Sequence, residues 1–318
     1  MCKNAGKTTV LNGLIRECAK HNEILGLTSA GRDGETSDLV TNTKKPEIFI
    51  YENTLAATSQ QALGFGTISR EIVGTTGIPT PMGEVILVRA KSDGFIQLAG
   101  PSITSQLVSA RDMLFDLGAD RVFIDGALSR KSLAMPAVSD GAVLCSGASY
   151  SPDMYKTVYD TAYAVKLLGL RETERTIPKI TEKYTLISGN EVFSFSELRN
   201  AVERIHTGGI EAIAIKGGVT DSMIKELFSA GRALSGIEFI AEDASRLLMS
   251  RNSAEKLSRA GMIMRVKTGI KLIAVTVNPF SAYGNHYDKN AFTDAVKDEI
   301  PRNIPIINMF DLPEETEC

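Results

Sequence analysis

Several residue types that mark particular protein classes are scarce or absent in this chain. It has no tryptophan, and aromatic residues make up 6% of its 318 residues. Its cysteines, Cys2, Cys18, Cys145 and Cys318, are widely scattered along the sequence. They therefore have neither the spacing of a zinc site nor the density of a disulfide framework. This usage indicates a reducing compartment, and we expect a cytoplasmic protein.

The charge balance and the absence of long apolar runs argue against two further classes. Lysine and arginine number 35 and aspartate and glutamate 38, and no basic domain stands out, so nucleic acid is not an expected partner. No apolar run approaches the ~20 residues that span a bilayer, and no signal-peptide pattern is present. We therefore expect no membrane association. The 43% hydrophobic content predicts a packed core instead.

The most informative stretch lies at the start of the chain, and it matches the second half of a phosphate-binding P-loop. The full pattern is Gly, four residues, then Gly-Lys-Ser/Thr. Gly6, Lys7 and Thr8 supply its last three positions, whereas Met1 stands where the first glycine belongs. In such a loop, backbone N–H groups cradle phosphate oxygens. The residues that we expect to bind nucleotide in this way are Asn4, Ala5, Gly6, Lys7, Thr8 and Thr9.

Two of these residues have a specific expected role in binding ATP and Mg²⁺. Lys7 would reach the β- and γ-phosphates, where it would act in catalysis, and the Thr8 hydroxyl would bind Mg²⁺. An apolar stripe from Val10 to Ile15 predicts a helix opening at Gly6, whose positive N-terminal end favours anions. The alternative is a chance Gly-Lys-Thr in a basic tail. Because a P-loop follows a buried strand, we expect either a true start farther upstream or an impaired copy of the loop.

Two acidic residues are candidates for the metal site. Arg121 to Gly126 is an apolar strand that ends in Asp125, which is the Walker B pattern, and this Asp would face Mg²⁺ and serve in catalysis. Asp33 follows a predicted strand, Ile24 to Ser29, at the carboxyl end where α/β sheets bind ligands. Asp33 is therefore a candidate for a second metal contact, and a solvated turn is the alternative.

The rest of the chain predicts a second α/β region. A polar segment near Pro178 marks a boundary between a P-loop nucleotide-binding domain at 1–170 and a C-terminal α/β domain at 184–318. Strands and helices alternate beyond that boundary, which predicts a second parallel unit. Within the first domain, the glycine- and proline-rich residues 77–83 predict a turn. Residues at predicted strand ends form a candidate second site: Lys216, Gly217, Gly218, Asp243 and Asn278.

The expected fold class is thus α/β. It comprises a P-loop NTPase-type, mainly parallel sheet, whose first strand is apparently missing, and a second, smaller α/β domain.

Several longer motifs carry a family resemblance: Lys-Asn-Ala-Gly-Lys-Thr-Thr-Val-Leu-Asn (3–12), Gly-Arg-Asp-Gly-Glu (31–35), Thr-Lys-Lys-Pro (43–46), Phe-Ile-Asp-Gly-Ala-Leu-Ser-Arg-Lys-Ser (123–132), Thr-Pro-Met-Gly-Glu (80–84), Leu-Ala-Gly-Pro-Ser (98–102) and Val-Asn-Pro-Phe-Ser (277–281). On these motifs the chain resembles the small subunit of the lysine 5,6-aminomutase reactivase, the KamB family of anaerobic lysine-fermenting bacteria.

The resemblance implies a chaperone-like function. The chain would work with a larger ATPase subunit to restore a cobalamin-dependent aminomutase whose adenosylcobalamin has been inactivated, and ATP-driven opening would release the damaged cobalamin. The family's ATP role carries onto Gly6, Lys7, Thr8 and Asp125. The sequence has no Asp-x-His-x-x-Gly cobalamin motif, so the link to cobalamin would come from the partner enzyme.

Two other functions fit parts of the sequence. The Asp33 loop and the stretch Lys44-Lys45-Pro46 suit a small-molecule ATP-using enzyme that resembles dethiobiotin synthetase. A non-enzymatic interaction module that has lost nucleotide binding is the other alternative. The sequence leaves open whether the chain hydrolyses ATP itself, and it contains no Asn-Lys-x-Asp pattern that would select GTP.

Overall fold

The chain is a mixed α/β protein that divides into two compact units. The computed structural model describes residues 4–31, 47–126, 136–178, 181–308 and 310. Among these residues it has several sheets, some of them parallel, and seven α-helices. The first unit takes its described residues from 1–133, 143–161 and 273–318, and the second from 134–142 and 162–272. In the ranges described, no helix has both the length and the apolar character needed to cross a bilayer.

The elements follow one another in three stretches. The first contains α1 (Lys7–Lys20), β1 (Leu25–Ser29), β2 (Ile48–Ile50), β3 (Leu55–Ser59), β4 (Arg70–Thr80), β5 (Gly83–Ala90), β6 (Gly94–Ile96), α2 (Thr104–Asp116), β7 (Arg121–Asp125), β8 (Ala142–Gly147) and α3 (Met154–Leu168). The second contains β9 (Tyr184–Ser188), β10 (Glu191–Phe195), α4 (Leu198–His206), β11 (Ala212–Ile215), α5 (Asp221–Leu227), β12 (Glu238–Ala241), α6 (Arg251–Arg259) and β13 (Ile263–Val266). The last contains β14 (Leu272–Asn278), α7 (Lys289–Glu299) and β15 (Ile306–Asn308).

The first unit is built around strand β1. Its main sheet has the order β4-β5-β3-β1-β7, in which β1 is parallel to both β3 and β7 and β5 is antiparallel to its neighbours. Every residue of β1 is buried, since a helix covers each face. Leu27 packs with Leu11 and Ile15 of α1, and Leu114 of α2 covers the opposite face. A fully buried parallel strand explains why β1 is an unbroken apolar run in the sequence.

A second, three-stranded sheet of the first unit has the order β15-β14-β8. Strands β14 and β15 are parallel, with Val275 opposite Ile306. This pairing assigns residues 273–318 to the first unit, so the division differs from the predicted ranges 1–170 and 184–318. The difference arises because β14 pairs with β8 and β15, a long-range choice that local composition does not encode.

The second unit has one sheet, in the order β10-β9-β11-β12-β13. Strands β11, β12 and β13 are parallel, as the alternation of strands and helices predicts. Strand β9, however, is antiparallel to both β10 and β11. Phe239 and Leu257 are among the fully buried side chains of the core that joins this sheet to its helices.

Strand β4 extends through most of the predicted turn at 77–83. It continues to Thr80, and the chain reverses at Pro81 and Met82. Pro79 is tolerated because β4 lies at the edge of its sheet, where a missing N–H donor costs no ladder hydrogen bond. The pairing of β4 with β5 also shifts register between Thr75 and Pro79. Glycine and proline therefore mark an irregular edge strand here.

Gly100 offers a test of how tightly the ends of these strands are packed. A Cβ at Gly100 would overlap the carbonyl oxygen of Ser29, the last residue of β1. We expect Gly100→Ala to destabilise the protein by about 1–3 kcal/mol, as overpacked cores do. Gly64→Ala is the matched control, because a Cβ there meets nothing within 4 Å. Equal midpoints for both variants in urea unfolding, followed by circular dichroism, would contradict this packing.

Candidate phosphate-binding site

A tight loop at Asn4 to Gly6 leads directly into α1. Asn4 and Gly6 have left-handed backbone angles, with φ of 62° and 89°. Glycine adopts this conformation without steric cost, and asparagine tolerates it better than most residues. Ala5 between them is 1% exposed. Left-handed residues within a turn direct neighbouring N–H groups into a concave surface, which is the geometry of an anion-binding nest.

The N-terminus of α1 is left without a side-chain cap. The helix begins at Lys7, its N-cap is Gly6, and its first turn contains no acidic residue. The first N–H groups of a helix have no acceptor within the helix, and they carry the positive end of the helix dipole. Thr8 is partly buried and Thr9 is exposed. This end of the helix is electrostatically suited to an anion.

Two strand ends hold the loop in place. A Cβ on Gly6 would lie 3.3 Å from Nδ2 of Asn278, the last residue of β14. Gly147, the last residue of β8, is equally close-packed: a Cβ there would lie 2.8 Å from the Asn278 carbonyl oxygen and 3.6 Å from Cα of Ala5. The loop therefore rests on the carboxyl ends of β8 and β14. A larger residue would overlap the backbone at Gly147, and at Gly6 it would be tightly packed and held in a strained left-handed conformation.

Asp125 lies at the end of β7, as the Walker B pattern predicts for the last residue of such a strand. It pairs in register with Ser29 of β1, and its carbonyl oxygen accepts a hydrogen bond of 3.0 Å from the Ala30 N–H. Phe123, two residues earlier, packs against the core cluster that contains Ile15 of α1. Asp125 is thus placed at the carboxyl edge of a sheet that contacts the helix of the loop.

The buried thiol of Cys145 connects the loop with Asp125. Cys145 lies in β8, is 7% exposed, and clusters with Ala5 and Val10. Burial raises its pKa above the ordinary value. The nearby Thr276 hydroxyl and the positive charge of Lys7 oppose that rise, and the charge of Asp125 adds to it. Lys7 and Asp125 therefore both act electrostatically on a single thiol.

The structure brings some predicted residues together and separates others. Ala5 packs against Cys145, Lys7 and Asp125 act on its thiol electrostatically, and the roles assigned to Lys7, Thr8 and Asp125 stay predictions. Asp33, Lys44 and Lys45 lie outside the described residues. Sequence reasoning did not place Asn278 at this loop; the only signal was its position at the end of a strong apolar strand.

The candidate second site is divided between the two units. Asn278 belongs to the first unit, whereas Lys216 to Gly218 and Asp243 belong to the second. Within the second unit, the N–H of Gly217 donates to Glu242 at 2.9 Å, and Asp243 accepts from the N–H of Ser245 at 2.8 Å. These acids stabilise local turns within the second unit.

No family model, curated protein or solved structure matches the chain. The candidate site is therefore judged on its geometry and on its sequence motifs.

Removing the charge of Lys7 and removing the charge of Asp125 should shift the pKa of Cys145 in opposite directions. Alkylation requires the thiolate. A thiol with a raised pKa therefore reacts slowly at a pH where an ordinary thiol is already ionised. Lys7→Met removes a positive charge and should raise the pKa of Cys145 further, whereas Asp125→Asn should lower it. The pH dependence of iodoacetamide labelling at Cys145, followed by peptide mass spectrometry, measures both.

Lys20→Met is the control, since Lys20 is an exposed lysine at the other end of α1 and should leave the labelling profile unchanged. If Lys7→Met and Asp125→Asn move the pKa in the same direction, or leave it unmoved, the two residues do not flank this thiol.

Proposed function

We propose that this chain is a P-loop-type, nucleotide-binding subunit that acts with a larger ATPase subunit to reactivate a cobalamin-dependent aminomutase, lysine 5,6-aminomutase. One observation carries the nucleotide-binding part. The left-handed loop at Asn4 to Gly6 leads into a helix N-terminus without a side-chain cap, and Lys7 of that helix and Asp125 both act on the buried thiol of Cys145. The identity of the client and of the larger subunit rests on the resemblance in the sequence motifs.

The residues of the loop fit a polyphosphate. The first turn of α1 has no acidic side chain that would repel phosphate oxygens, and Lys7 adds a positive charge at the same point. The backbone N–H groups around Gly6 would bind phosphate oxygens as donors. We propose ATP as the nucleotide because the proposed partner is an ATPase.

The acidic and hydroxyl groups near the loop fit Mg²⁺ bound together with nucleotide. Mg²⁺ in such sites takes one or two protein ligands and completes its shell with phosphate and water. No cluster of three or more His, Cys, Asp or Glu side chains suited to a metal occurs among the described residues. Thr8 would hold the ion, Asp125 would orient it, and the bound ion would neutralise charge on the terminal phosphates.

The sheets of the first unit also suit a P-loop-type fold. Within the described residues, β7 ends one sheet and β8 ends the other. In a P-loop protein a strand leads into the loop and lies beside the strand that carries the Walker B Asp. Gly147, the last residue of β8, packs on Ala5, and Asp125, the last residue of β7, acts on the same buried thiol as Lys7, which supports the proposal of a P-loop-type fold.

The proposed mechanism uses the loop as a switch. Phosphate contacts order nearby segments, and hydrolysis releases them. Because Gly6 packs on Asn278 and Ala5 on Gly147, a change at the loop would be transmitted directly to the ends of β14 and β8. We propose that this change opens the complex with the aminomutase, so that damaged cobalamin leaves and fresh adenosylcobalamin enters.

Lys7→Ala tests the proposal in a reactivation assay. The assay combines inactivated aminomutase, the larger subunit, ATP, Mg²⁺ and fresh adenosylcobalamin, with and without this chain. We expect Lys7→Ala to lower nucleotide turnover and recovery about 10²–10³-fold, the usual loss when one preorganised charge-stabilising donor is removed. Lys20→Ala should leave both unchanged, and circular dichroism should show an unaltered fold in each variant.

Recovery of the aminomutase without this chain would reject the reactivase function. Unchanged hydrolysis in Lys7→Ala would reject the phosphate loop. ATP consumption by the isolated chain that depends on a carboxylate substrate would favour a dethiobiotin synthetase-like enzyme. The interaction module would be supported if the chain bound neither ATP nor GTP.

A further inference from the structure

Three aromatic side chains form an exposed cluster in the first unit, here named the aromatic platform: Phe280, His286 and Phe310. Phe280 follows β14 and Phe310 follows β15, and they are 46% and 45% exposed. Their ring centroids lie 4.7 Å apart at an interplanar angle of 74°, and the His286 ring lies 5.5 Å from that of Phe280. Large apolar groups that pack together at the surface mark binding sites more often than isolated ones do.

The loop that carries Phe280 and His286 is fixed by hydrogen bonds. The N–H of Tyr287 donates to the Pro279 carbonyl at 2.9 Å. The side-chain amide of Asn285 donates to the Ala148 carbonyl at 2.8 Å, which ties the loop to the turn after β8. The Tyr287 ring also packs on Phe292 of α7, with centroids 4.9 Å apart. The platform is therefore preorganised, so a ligand binding to it loses little free energy in ordering these rings.

Phe310, the other phenylalanine of the aromatic platform, is fixed by two hydrogen bonds. Its N–H donates to the side-chain oxygen of Asn308 at 3.1 Å, and its carbonyl oxygen accepts from the Lys289 ammonium at 3.2 Å. Asn308 pairs in register with Val277 of β14. Phe310 and Phe280 thus follow the carboxyl ends of two neighbouring parallel strands, and this is why their rings meet.

The platform lies next to the phosphate-binding loop. Asn278 is the residue against which Gly6 packs, and its side-chain oxygen accepts a hydrogen bond of 2.9 Å from the N–H of Phe280. Two residues of chain span at most about 7 Å. A nucleoside triphosphate is longer than that, so a nucleotide whose phosphates lie at Gly6 is long enough for its base to reach Phe280.

We propose that the aromatic platform is the base-binding surface of the nucleotide site, and that Phe280 supplies the main stacking face. This inference rests on the proposed function, because it takes the phosphates to lie at Gly6. Aromatic rings stack on nucleobases of any type, and the exposed area of Phe280 is available for such a contact. The aromatic platform therefore binds the base, while Gly6 and Lys7 bind the phosphates.

His286 adds a polar contact to the platform. Its Nδ1 accepts a hydrogen bond of 3.3 Å from the N–H of Ser281. In the neutral ring the proton is therefore on Nε2, which makes Nε2–H a donor. Ring nitrogens and carbonyl oxygens of nucleobases accept such hydrogen bonds. His286 thus favours a base over a purely apolar ligand.

The test compares two ligands that both carry a triphosphate chain, only one of which has a nucleobase. Isothermal titration calorimetry of the full chain with Mg²⁺ measures the Kd of ATP and of inorganic tripolyphosphate. For Phe280→Ala we expect ATP to bind about 5- to 100-fold more weakly, since stacking on one aromatic side chain contributes that much, and tripolyphosphate to bind as in the wild type. Phe115→Ala is the matched control: Phe115 is 41% exposed, near the end of α2, and should change neither Kd.

The outcomes separate this inference from the proposed function. If the wild type binds ATP and Phe280→Ala binds it equally well, the base-binding surface is refuted and the phosphate loop stands. Equal weakening of ATP and tripolyphosphate also refutes it, because the effect is then on the loop. Unchanged ATP binding with loss of reactivation by the larger subunit would make the platform a protein contact instead. If the wild type binds neither ligand, the proposed function fails and this inference with it.

Discussion

The packing of Gly6 against Asn278 is the contact on which the rest of the site depends. Gly6 has a left-handed backbone, and its missing side chain leaves the space that Asn278 fills. Any L-residue at this position would face both the conformational cost of the left-handed region and a close contact with an amide. Because glycine is present, the chain turns sharply out of the loop, and α1 begins at the next residue without a side-chain cap.

From this contact the parallel strands position the remaining groups. The carboxyl ends of β8 and β14 support the loop, and Asp125 ends β7 within electrostatic reach of the same buried thiol. Strands β8 and β14 belong to one sheet and β7 to another, so residues from two sheets and distant parts of the sequence act on this thiol. Phosphate binding, metal binding and base binding are thereby proposed for neighbouring strand ends of the first unit.

The sequence predicted those features that depend on local pattern. The apolar stripe after Gly6 predicted α1, and the buried runs predicted β1 and β7 close to their observed bounds. Features set by long-range pairing were not predictable in this way. Nothing local shows that β14 pairs with β8, and hence that Asn278 contacts Gly6. Pro79 and the nearby glycines suggested a turn. They lie in a strand instead, because β4 is at the edge of its sheet, and local composition does not reveal which strands lie beside β4.

The central claim is that backbone amides around Gly6 bind the terminal phosphates of a nucleotide, and amide chemical shifts test it most directly. In a transverse relaxation-optimised ¹H–¹⁵N spectrum of the full chain, adding Mg²⁺ and ATP should shift the amides of Gly6, Lys7 and Thr8. Tripolyphosphate should shift the same amides, and that of Lys20, at the far end of α1, should stay in place. If ATP binds and these amides do not move, or if neither ligand changes the spectrum, the account is contradicted.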